Sequence, residues 1–222
     1  MAYGTESVPK VYKIFGPGNQ YVTAAKQIVA EKGTAIDLPA GPSEVAVLAD
    51  ETAIPEFVAL DMLSQAEHGS DSQAVLVSTS KSVLEMTLKR KMAEAALENS
   101  IAILVDDKEN AVDIINAYAP EHLILSVKNA EKVANKIINA GSVFLGNYSP
   151  ESVGDYASGT NHTLPTNNAA LAYSGVSLDS FVKKITYQKL SKSGLKKLGP
   201  VVKTMADAEG LMAHKLAVSV RL

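Results

Sequence analysis

The sequence predicts an α/β protein of Rossmann-like units, with a parallel-rich sheet, helices on both of its faces and a helical tail at the C-terminus. Two observations support this class. Short apolar runs alternate with helix-length amphipathic segments over most of the 222 residues, and hydrophobic residues make up an ordinary 46% of the chain. Strands separated by helices are typical of βαβ units, whose strands run parallel. Because ligands of such sheets bind at the carboxyl ends of the strands, we expect the functional loops at that edge.

Strands are predicted from short apolar runs, and helices from apolar residues that recur every three or four positions. Ala111, Ile114, Ile115 and Tyr118, for example, have the spacing of one buried helix face. The predicted strands cover residues 35–38, 45–49, 74–77, 101–105, 123–126 and 143–145. The predicted helices between them cover residues 54–65, 83–98, 111–118 and 130–140, and a further helix follows Asn19.

This alternation stops after Leu145. Residues 146–177 are rich in Gly, Asn, Ser, Thr and Pro and predict a long loop, of the kind that carries function when it is ordered. Helices return from Ser180, and residues 205–222 predict one helix that runs into a short apolar tail. The lysines between Phe181 and Pro200 are best explained as a solvated helix face.

The composition excludes several classes of protein. The absence of cysteine excludes disulfides, thiolate zinc fingers and thiol nucleophiles, so a metal would need carboxylate, amide, water or imidazole ligands. The formal net charge of −3 gives no general attraction to nucleic acid or anionic lipid. No apolar run is long enough for a membrane span, and the first ten residues do not resemble a signal peptide. We therefore expect a cytoplasmic protein without a nucleic-acid or membrane partner.

Two glycine-containing turns are candidate ligand contacts. Gly16-Pro17-Gly18-Asn19 precedes a helix, where backbone N–H groups can approach an anion and Asn19 is a good N-cap. The segment 39–44 follows a predicted strand and offers the Ser43 hydroxyl and a carboxylate. From their residues alone, a plain turn is the favoured interpretation of both segments.

Two pairs of residues are suited to metal binding or proton transfer. Gln65 and His68 lie three residues apart, so on a continuing helix they share a face and could bind one cation. A polar helix end explains this pair equally well. Glu121 and His122 stand between a helix and a strand, where both could face one cleft as general bases. Taken alone, this second pair is more often surface decoration.

Two further segments contain residues that could either form a site or have no functional role. Asp155 and His162 lie among flexible glycines, where they could form a site or belong to a loop braced by its own hydrogen bonds. Glu209 and His214 are five residues apart and do not share a helix face, so two solvated side chains are the favoured interpretation.

Taken in order, the motifs GPGN, PAGPSE, SQAEHG, PEHL, GDYASGTNH and EGLMAHK closely resemble the histidinol dehydrogenase family over residues 4–222. The resemblance implies a zinc enzyme that oxidises L-histidinol to L-histidine through the aldehyde, with two hydride transfers to two NAD molecules. It also implies a homodimer with shared active sites, in which zinc positions the substrate more than it acts as a Lewis acid.

The resemblance implies a role for each matched residue. The zinc ligands would be Gln65, His68, Asp155 and His214, with His214 reaching the metal of the partner subunit. The same four residues would contact the substrate together with Ser43, Glu121, His122 and Glu209, and Asn19 would lie on the NAD side. Glu121 would activate the water that hydrates the aldehyde, and His122 would accept the alcohol proton. His162 would brace its loop.

Members of this family are considerably longer, and the chain corresponds to about their second half. The resemblance therefore implies Rossmann-like units that are incomplete relative to the full family, and impaired oxidation of histidinol. We expect a partial second Rossmann-like domain at 1–42, a main α/β domain with catalytic loops at 43–178, and a helical tail for dimer contacts at 179–222. A non-catalytic zinc-binding dimeric fragment and a zinc-dependent hydrolase, with Glu121 activating water, remain open as alternatives.

Overall fold

The computed structural model describes residues 1–16, 18–39, 41–89 and 99–222. The chain divides into two compact units, residues 1–181 and residues 182–222, and all strands of the described chain belong to the first. Two short parallel strands, β1 (Lys13–Ile14) and β2 (Ala35–Ile36), form a small sheet. The main sheet consists of β3 (Glu44–Ala49), β4 (Gln73–Ser78), β5 (Ile101–Leu104), β6 (His122–Ser126) and β7 (Ser142–Leu145).

The strands of the main sheet are all parallel and lie in the order β5-β4-β3-β6-β7. The direction of winding reverses between β3 and β6, as in one half of a doubly wound dinucleotide-binding sheet. Val45 of β3 lies opposite both Ala74 of β4 and His122 of β6, so the strands begin together at one edge of the sheet. The predicted α/β class with a parallel sheet is confirmed.

Helices follow the strands of this unit in turn. Their bounds are α1 (Gln20–Glu31), α2 (Pro55–Ala66), α3 (Lys81–Leu88), α4 (Lys108–Tyr118), α5 (Ala130–Ala134) and α6 (Glu151–Tyr156). Local sequence explains several starts. Pro55 begins α2, and the side chains of Ser80 and Asp107 accept backbone N–H groups in the first turns of α3 and α4.

The core lies on both faces of the main sheet, because successive strand residues point to opposite sides. One face of β3, with Ala46 and Leu48, packs against α4 and α5 through residues such as Ile115. The other face, with Val45 and Val47, packs against α2 and α3. This arrangement buries β3, β4 and β6 almost completely and explains why their sequences are continuous apolar runs.

Helix α5 is shorter than predicted, because a side chain of α4 takes over its backbone hydrogen bonds. The predicted helix 130–140 ends at Ala134. The Asn116 side chain donates to the carbonyl of Lys136 (3.0 Å) and accepts the N–H of Ile138 (2.9 Å). These bonds replace the i, i+4 bonds that would continue the helix.

Other boundaries also differ from prediction. The segment predicted as a long loop, 146–177, contains α6 and a 3₁₀ turn at Ala169–Leu171. The helix predicted at 83–98 begins at Lys81 and is described as far as Leu88, and residues 90–98 lie outside the described residues.

The second unit is a helical hairpin rather than one long terminal helix. Its helices are α7 (Lys192–Ala208) and α8 (Met212–Ser219), separated by Gly210 in a left-handed conformation with φ 71°. A left-handed residue ends a helix, and glycine adopts it without strain. Lys215 and Asp207 form an ion pair of 2.6 Å between the two helices. Within the described ranges, no helix has the length and apolar character needed to cross a membrane.

Candidate active site

A cavity of about 300 Å³ opens at the amino ends of β3 and β6. It gathers residues from five distant parts of the first unit. Its lining consists of Gly18, Gly41, Ser43, Gln65, His68, Glu121, His122, Glu151, Asp155, His162, Thr163, Leu164 and Thr166. Six of the residues predicted from the motifs, Ser43, Gln65, His68, Glu121, His122 and Asp155, are therefore brought together.

The position of this cavity corrects the expectation that ligands bind at the carboxyl edge of the sheet. At that edge, the chain's own polar groups meet where the strand order reverses. Asp50, just after β3, accepts hydrogen bonds from Lys108 Nζ (2.6 Å), the Thr52 hydroxyl (2.6 Å) and the Lys128 N–H (2.9 Å). Burial alone would raise the pKa of Asp50, but these bonds lower it. The internal carboxylate thus occupies the place where such sheets hold a ligand.

Glu121 and His122 form a buried pair at the start of β6, so the interpretation as surface side chains is wrong. The backbone N–H of Glu44 donates to Glu121 Oε2 (2.9 Å), and the Glu44 carbonyl contacts His122 Nδ1 (3.2 Å). Because a carbonyl only accepts, Nδ1 carries the hydrogen of the neutral imidazole. His122 Nε2 is then an acceptor, and it is buried with no hydrogen-bond partner among the described residues.

Gln65 and His68 reach the cavity from the end of α2. The helix ends at Ala66, so the two side chains do not share a continuous helix as expected. A turn nevertheless follows, in which the His68 N–H donates to the Gln65 carbonyl (3.2 Å), and both residues line the cavity. Gln65 is 1% exposed, and within the part of the chain that the structure describes its Oε1 atom has no hydrogen-bond partner. A buried acceptor without a donor costs about 1–3 kcal/mol, which a bound cation would offset.

Glu151 is a site residue that the motifs did not identify. It begins α6, four residues before Asp155, so the two carboxylates share one face of the helix. The ligand atoms of His122, Glu151 and Asp155 all lie within 4.8 Å of one another, and His122 Nε2 is 3.8 Å from Asp155 Oδ1. Ser64 donates to Glu151 Oε2 at 3.4 Å. The i, i+4 spacing of Glu151 and Asp155 was visible in the sequence, but it lay in a segment that predicted a loop.

The charges around the cavity favour a cation. Burial, followed by neighbouring carboxylates, raises the pKa of Glu121 to about 8, and burial with Asp155 raises the pKa of Glu151 to about 7. Burial also lowers the pKa of His122, since it disfavours the imidazolium. The cavity lining within the described chain includes no lysine or arginine. Carboxylate, imidazole and amide donors without a cationic partner fit a divalent metal such as zinc.

The other predicted residues are distributed as follows. Asn19 is the N-cap of α1, as predicted, and its Oδ1 accepts the N–H groups of Tyr21 and Val22. His162 lines the cavity and is exposed. Glu209 and His214 lie in the second unit, at the end of α7 and within α8.

One tightly packed glycine shapes the backbone beside Glu121 and His122. Gly141 donates its N–H to the Pro120 carbonyl (2.9 Å), and the Ser142 N–H donates to the Glu121 carbonyl (2.9 Å). A Cβ atom at position 141 would lie 2.5 Å from the Glu121 carbonyl oxygen. The residue type at this position therefore sets how closely β7 approaches Glu121.

Comparisons with known proteins identify the family of this chain. The family model described as Histidinol dehydrogenase matches residues 1–222. The chain is 63% identical to histidinol dehydrogenase of Bacteroides fragilis (strain YCH46), covering 100% of this chain and 54% of that protein. It is 56% identical to the chloroplastic histidinol dehydrogenase of Arabidopsis thaliana, covering 100% of this chain and 51% of that one.

A solved structure of histidinol dehydrogenase from Elizabethkingia anophelis is 59% identical, with a TM-score of 0.95, and covers 100% of this chain and 54% of that chain. The chain thus spans about half the length of the relatives that it matches. The match of the family model over all 222 residues, together with the shared fold, shows that the chain belongs to the histidinol dehydrogenase family.

Proposed function

We propose that this chain is the metal- and substrate-binding part of a cytoplasmic histidinol dehydrogenase, which oxidises L-histidinol to L-histidine with NAD. The observation that carries the proposal is the convergence of Gln65, His68, Glu121, His122 and Asp155 on one cavity. Two of these residues present buried polar atoms without partners, Gln65 Oε1 and His122 Nε2. Such atoms favour a site built to receive a polar ligand and a cation.

Zinc would be held by Gln65, His68 and Asp155, with the partner subunit's His214 completing the ligand set. When bound, zinc would hold the imidazole and the amine of histidinol and so orient the alcohol. Exposed apolar residues of the helical hairpin, among them Val201 and Leu216, support a role of this unit in dimer contacts. Ser43 and Glu209 would complete the contacts with the substrate.

His122 would accept the proton of the alcohol. Its Nδ1–H is directed to the Glu44 carbonyl, so the lone pair of Nε2 faces the cavity. Nε2 would take the hydroxyl proton while NAD, when bound, would accept the hydride from the alcohol carbon, so that the aldehyde and NADH form. Asn19, next to the cavity-lining Gly18, supports placing NAD on the α1 side of the site.

Glu121 would serve the second oxidation. Its carboxylate would take a proton from water as the oxygen adds to the aldehyde and would return a proton to the former carbonyl oxygen, which gives the hydrate. NAD, when bound, would accept the second hydride, and the hydrate would lose one proton to give the carboxylic acid. A pKa of about 8 suits this role, because such a group exchanges protons near neutral pH.

The test is an assay for NADH with histidinol, NAD and zinc, run beside metal analysis of the purified protein. We expect bound zinc and two NADH per histidine formed, at a low rate because the chain spans about half of its relatives. Bound zinc with no NADH would support the non-catalytic dimeric fragment instead. Hydrolysis of an ester or amide substrate without NADH would support the hydrolase.

A further inference from the structure

Glu44 contacts both residues of the catalytic pair through its backbone. It is the first residue of β3, directly after Ser43, and it is 8% exposed. Its N–H donates to Glu121 Oε2 (2.9 Å) and its carbonyl accepts from His122 Nδ1 (3.2 Å). The position of the Glu44 backbone thus fixes the carboxylate of Glu121 and the ring of His122.

The side chain of Glu44 points to a different part of the site. Its Oε1 atom accepts the backbone N–H of Asn167 at 2.8 Å. Residues 163–168, which we name the wall segment, contribute Thr163, Leu164 and Thr166 to the cavity lining. One residue therefore joins the wall segment to the catalytic pair.

The wall segment needs such an anchor. Asn167 and Asn168 both have left-handed backbone conformations, with φ of 53° and 64°. Asparagine adopts this region more readily than other side chains, but as single residues, so two in succession depend on surrounding bonds. The wall segment also accepts a hydrogen bond from the loop before β3, because the Gly41 N–H donates to the Thr166 hydroxyl.

Burial of the Glu44 carboxyl costs free energy of folding, which favours a specific function for this side chain. Its Oε2 atom is buried with no hydrogen-bond partner among the described residues, and burial raises the pKa of this carboxyl. A buried polar atom left unpaired destabilises the fold unless the remaining bonds compensate. The backbones of Asn167 and Glu121 both stabilise the carboxylate, and the bond from Asn167 to Oε1 links it to the wall segment.

We propose that Glu44 is a positioning residue, whose side chain holds the wall segment against the catalytic pair and thereby keeps the cavity at the width of a small polar substrate. The proposal concerns the same site as the proposed function and rests on it for the identity of the substrate. The contact with the wall segment stands independently of that identity.

The experiment compares hydrogen exchange and ligand binding in variants of the 222-residue chain. Glu44→Ala removes the acceptor for the Asn167 N–H, whereas Glu44→Gln keeps an oxygen at the same reach. We expect Glu44→Ala to speed amide exchange in residues 163–168 about tenfold and to weaken histidinol binding in the presence of zinc by a similar factor. Zinc binding without histidinol should stay within about twofold of wild type. Glu44→Gln should restore both properties.

Two further variants keep the result interpretable. Ser126→Ala removes the bond from the Ser126 hydroxyl to Asn147 Oδ1 (2.7 Å), which lies at the carboxyl end of β6, and should leave exchange at 163–168 unchanged. Glu44→Asp keeps the charge but shortens the reach, and serves if Glu44→Ala fails to fold. It should behave like the alanine variant.

Unchanged exchange at 163–168 in both Glu44→Ala and Glu44→Asp would overturn the proposal. So would equal acceleration in Glu44→Gln, since that would make the charge, not the acceptor, responsible. If wild type binds zinc but no histidinol, the proposed function fails, whereas the exchange data still decide the role of Glu44.

Discussion

The carboxylate of Asp50 lies 2.6 Å from the ammonium group of Lys108, at the carboxyl end of β3. The Asp50 side chain is fully buried, and the Lys128 N–H and Thr52 bind the same carboxylate. An ion pair with several hydrogen bonds satisfies a charge that burial alone would destabilise. The buried Asp50 carboxylate thus occupies the carboxyl edge of the sheet, and the cavity lies at the amino edge.

We expect Asp50→Asn to lower the free energy of unfolding at neutral pH by about 2 kcal/mol, because four donor groups lose a charged acceptor. The pKa of Asp50 is lowered in the folded state, so its stabilisation is present above the unfolded pKa of about 3.9 and is lost as pH falls through the folded pKa. The variant should therefore show a smaller loss of stability below about pH 4. Urea unfolding between neutral and acidic pH measures both effects.

The matched control for Asp50 is Glu109→Gln. Glu109 pairs with Lys136 at the same 2.6 Å, but both side chains are exposed. Solvent screens such a pair, so its removal should change stability little. Equal effects of the two substitutions would show that burial does not give Asp50 its importance.

Removal of Lys26 should destabilise the loop before α1. Lys26 is buried and forms an ion pair with Asp37, and its Nζ donates to the Gly16 carbonyl (2.9 Å). Asp37 in turn accepts the Gly16 N–H (2.8 Å). Lys26→Met leaves the Asp37 charge buried and unpaired, which costs about 3–5 kcal/mol. Thermal unfolding measures the loss, and the double variant Lys26→Met/Asp37→Leu should recover part of it.

Zinc should raise the melting temperature of the wild-type chain. A ligand at about 100 times its Kd adds about 2.7 kcal/mol, which shifts the melting temperature of a chain of this size by about 5–10 °C. Gln65→Ala and His68→Ala should lose most of this shift. His162→Ala, which changes another cavity-lining residue, should keep it. An equal shift in all four proteins would contradict the ligand assignment.

Glu151→Gln should stabilise the metal-free chain and weaken zinc binding. With a pKa of about 7, above its ordinary value, the folded chain holds a proton that the unfolded chain releases, so stability falls as pH rises from about 4.5 to 7. The glutamine amide does not titrate, so the variant should not lose this stability as pH rises. It also removes one negative charge near Asp155, which should weaken zinc binding about tenfold. Stability curves from pH 4.5 to 8 and zinc titrations measure the two effects.

Asp61→Asn is the control that separates these effects of Glu151. Burial raises the pKa of Asp61 to about 6, so its neutralisation should also reduce the fall of stability with pH. Asp61 does not belong to the cluster of His122, Glu151 and Asp155 among the described residues. Its loss should therefore leave zinc affinity close to wild type. Equal zinc affinities of the two variants would exclude Glu151 from the cation site.

The parts of the fold that depend on local periodicity were predictable. The strand around Val45 and Val47 and the helix with Ala111 and Ile115 follow patterns that burial on two faces requires. The end of α5 was not predictable, because Asn116, from another helix, terminates it. A bond between residues about 20 positions apart leaves no trace in the local pattern.

The site was predictable only in part for the same reason. Motif resemblance identified Gln65, His68 and Asp155, and the structure brings them to one cavity. The edge on which they meet was predicted wrongly, because no sequence pattern shows that Asp50 and Lys108 fill the opposite one. Glu44 was named only as part of a turn, since its bonds to Glu121 and Asn167 join segments 77 and 123 residues away.

Gly141 has a consequence for experiments that redesign this chain. It does not line the cavity, so a mutagenesis library restricted to residues that surround the substrate would omit it. Yet even alanine there would press on the Glu121 carbonyl and shift the backbone that carries the Glu121 carboxylate. We therefore expect substitutions at closely packed backbone positions behind the cavity to impair this protein as much as substitutions of the residues that line the cavity.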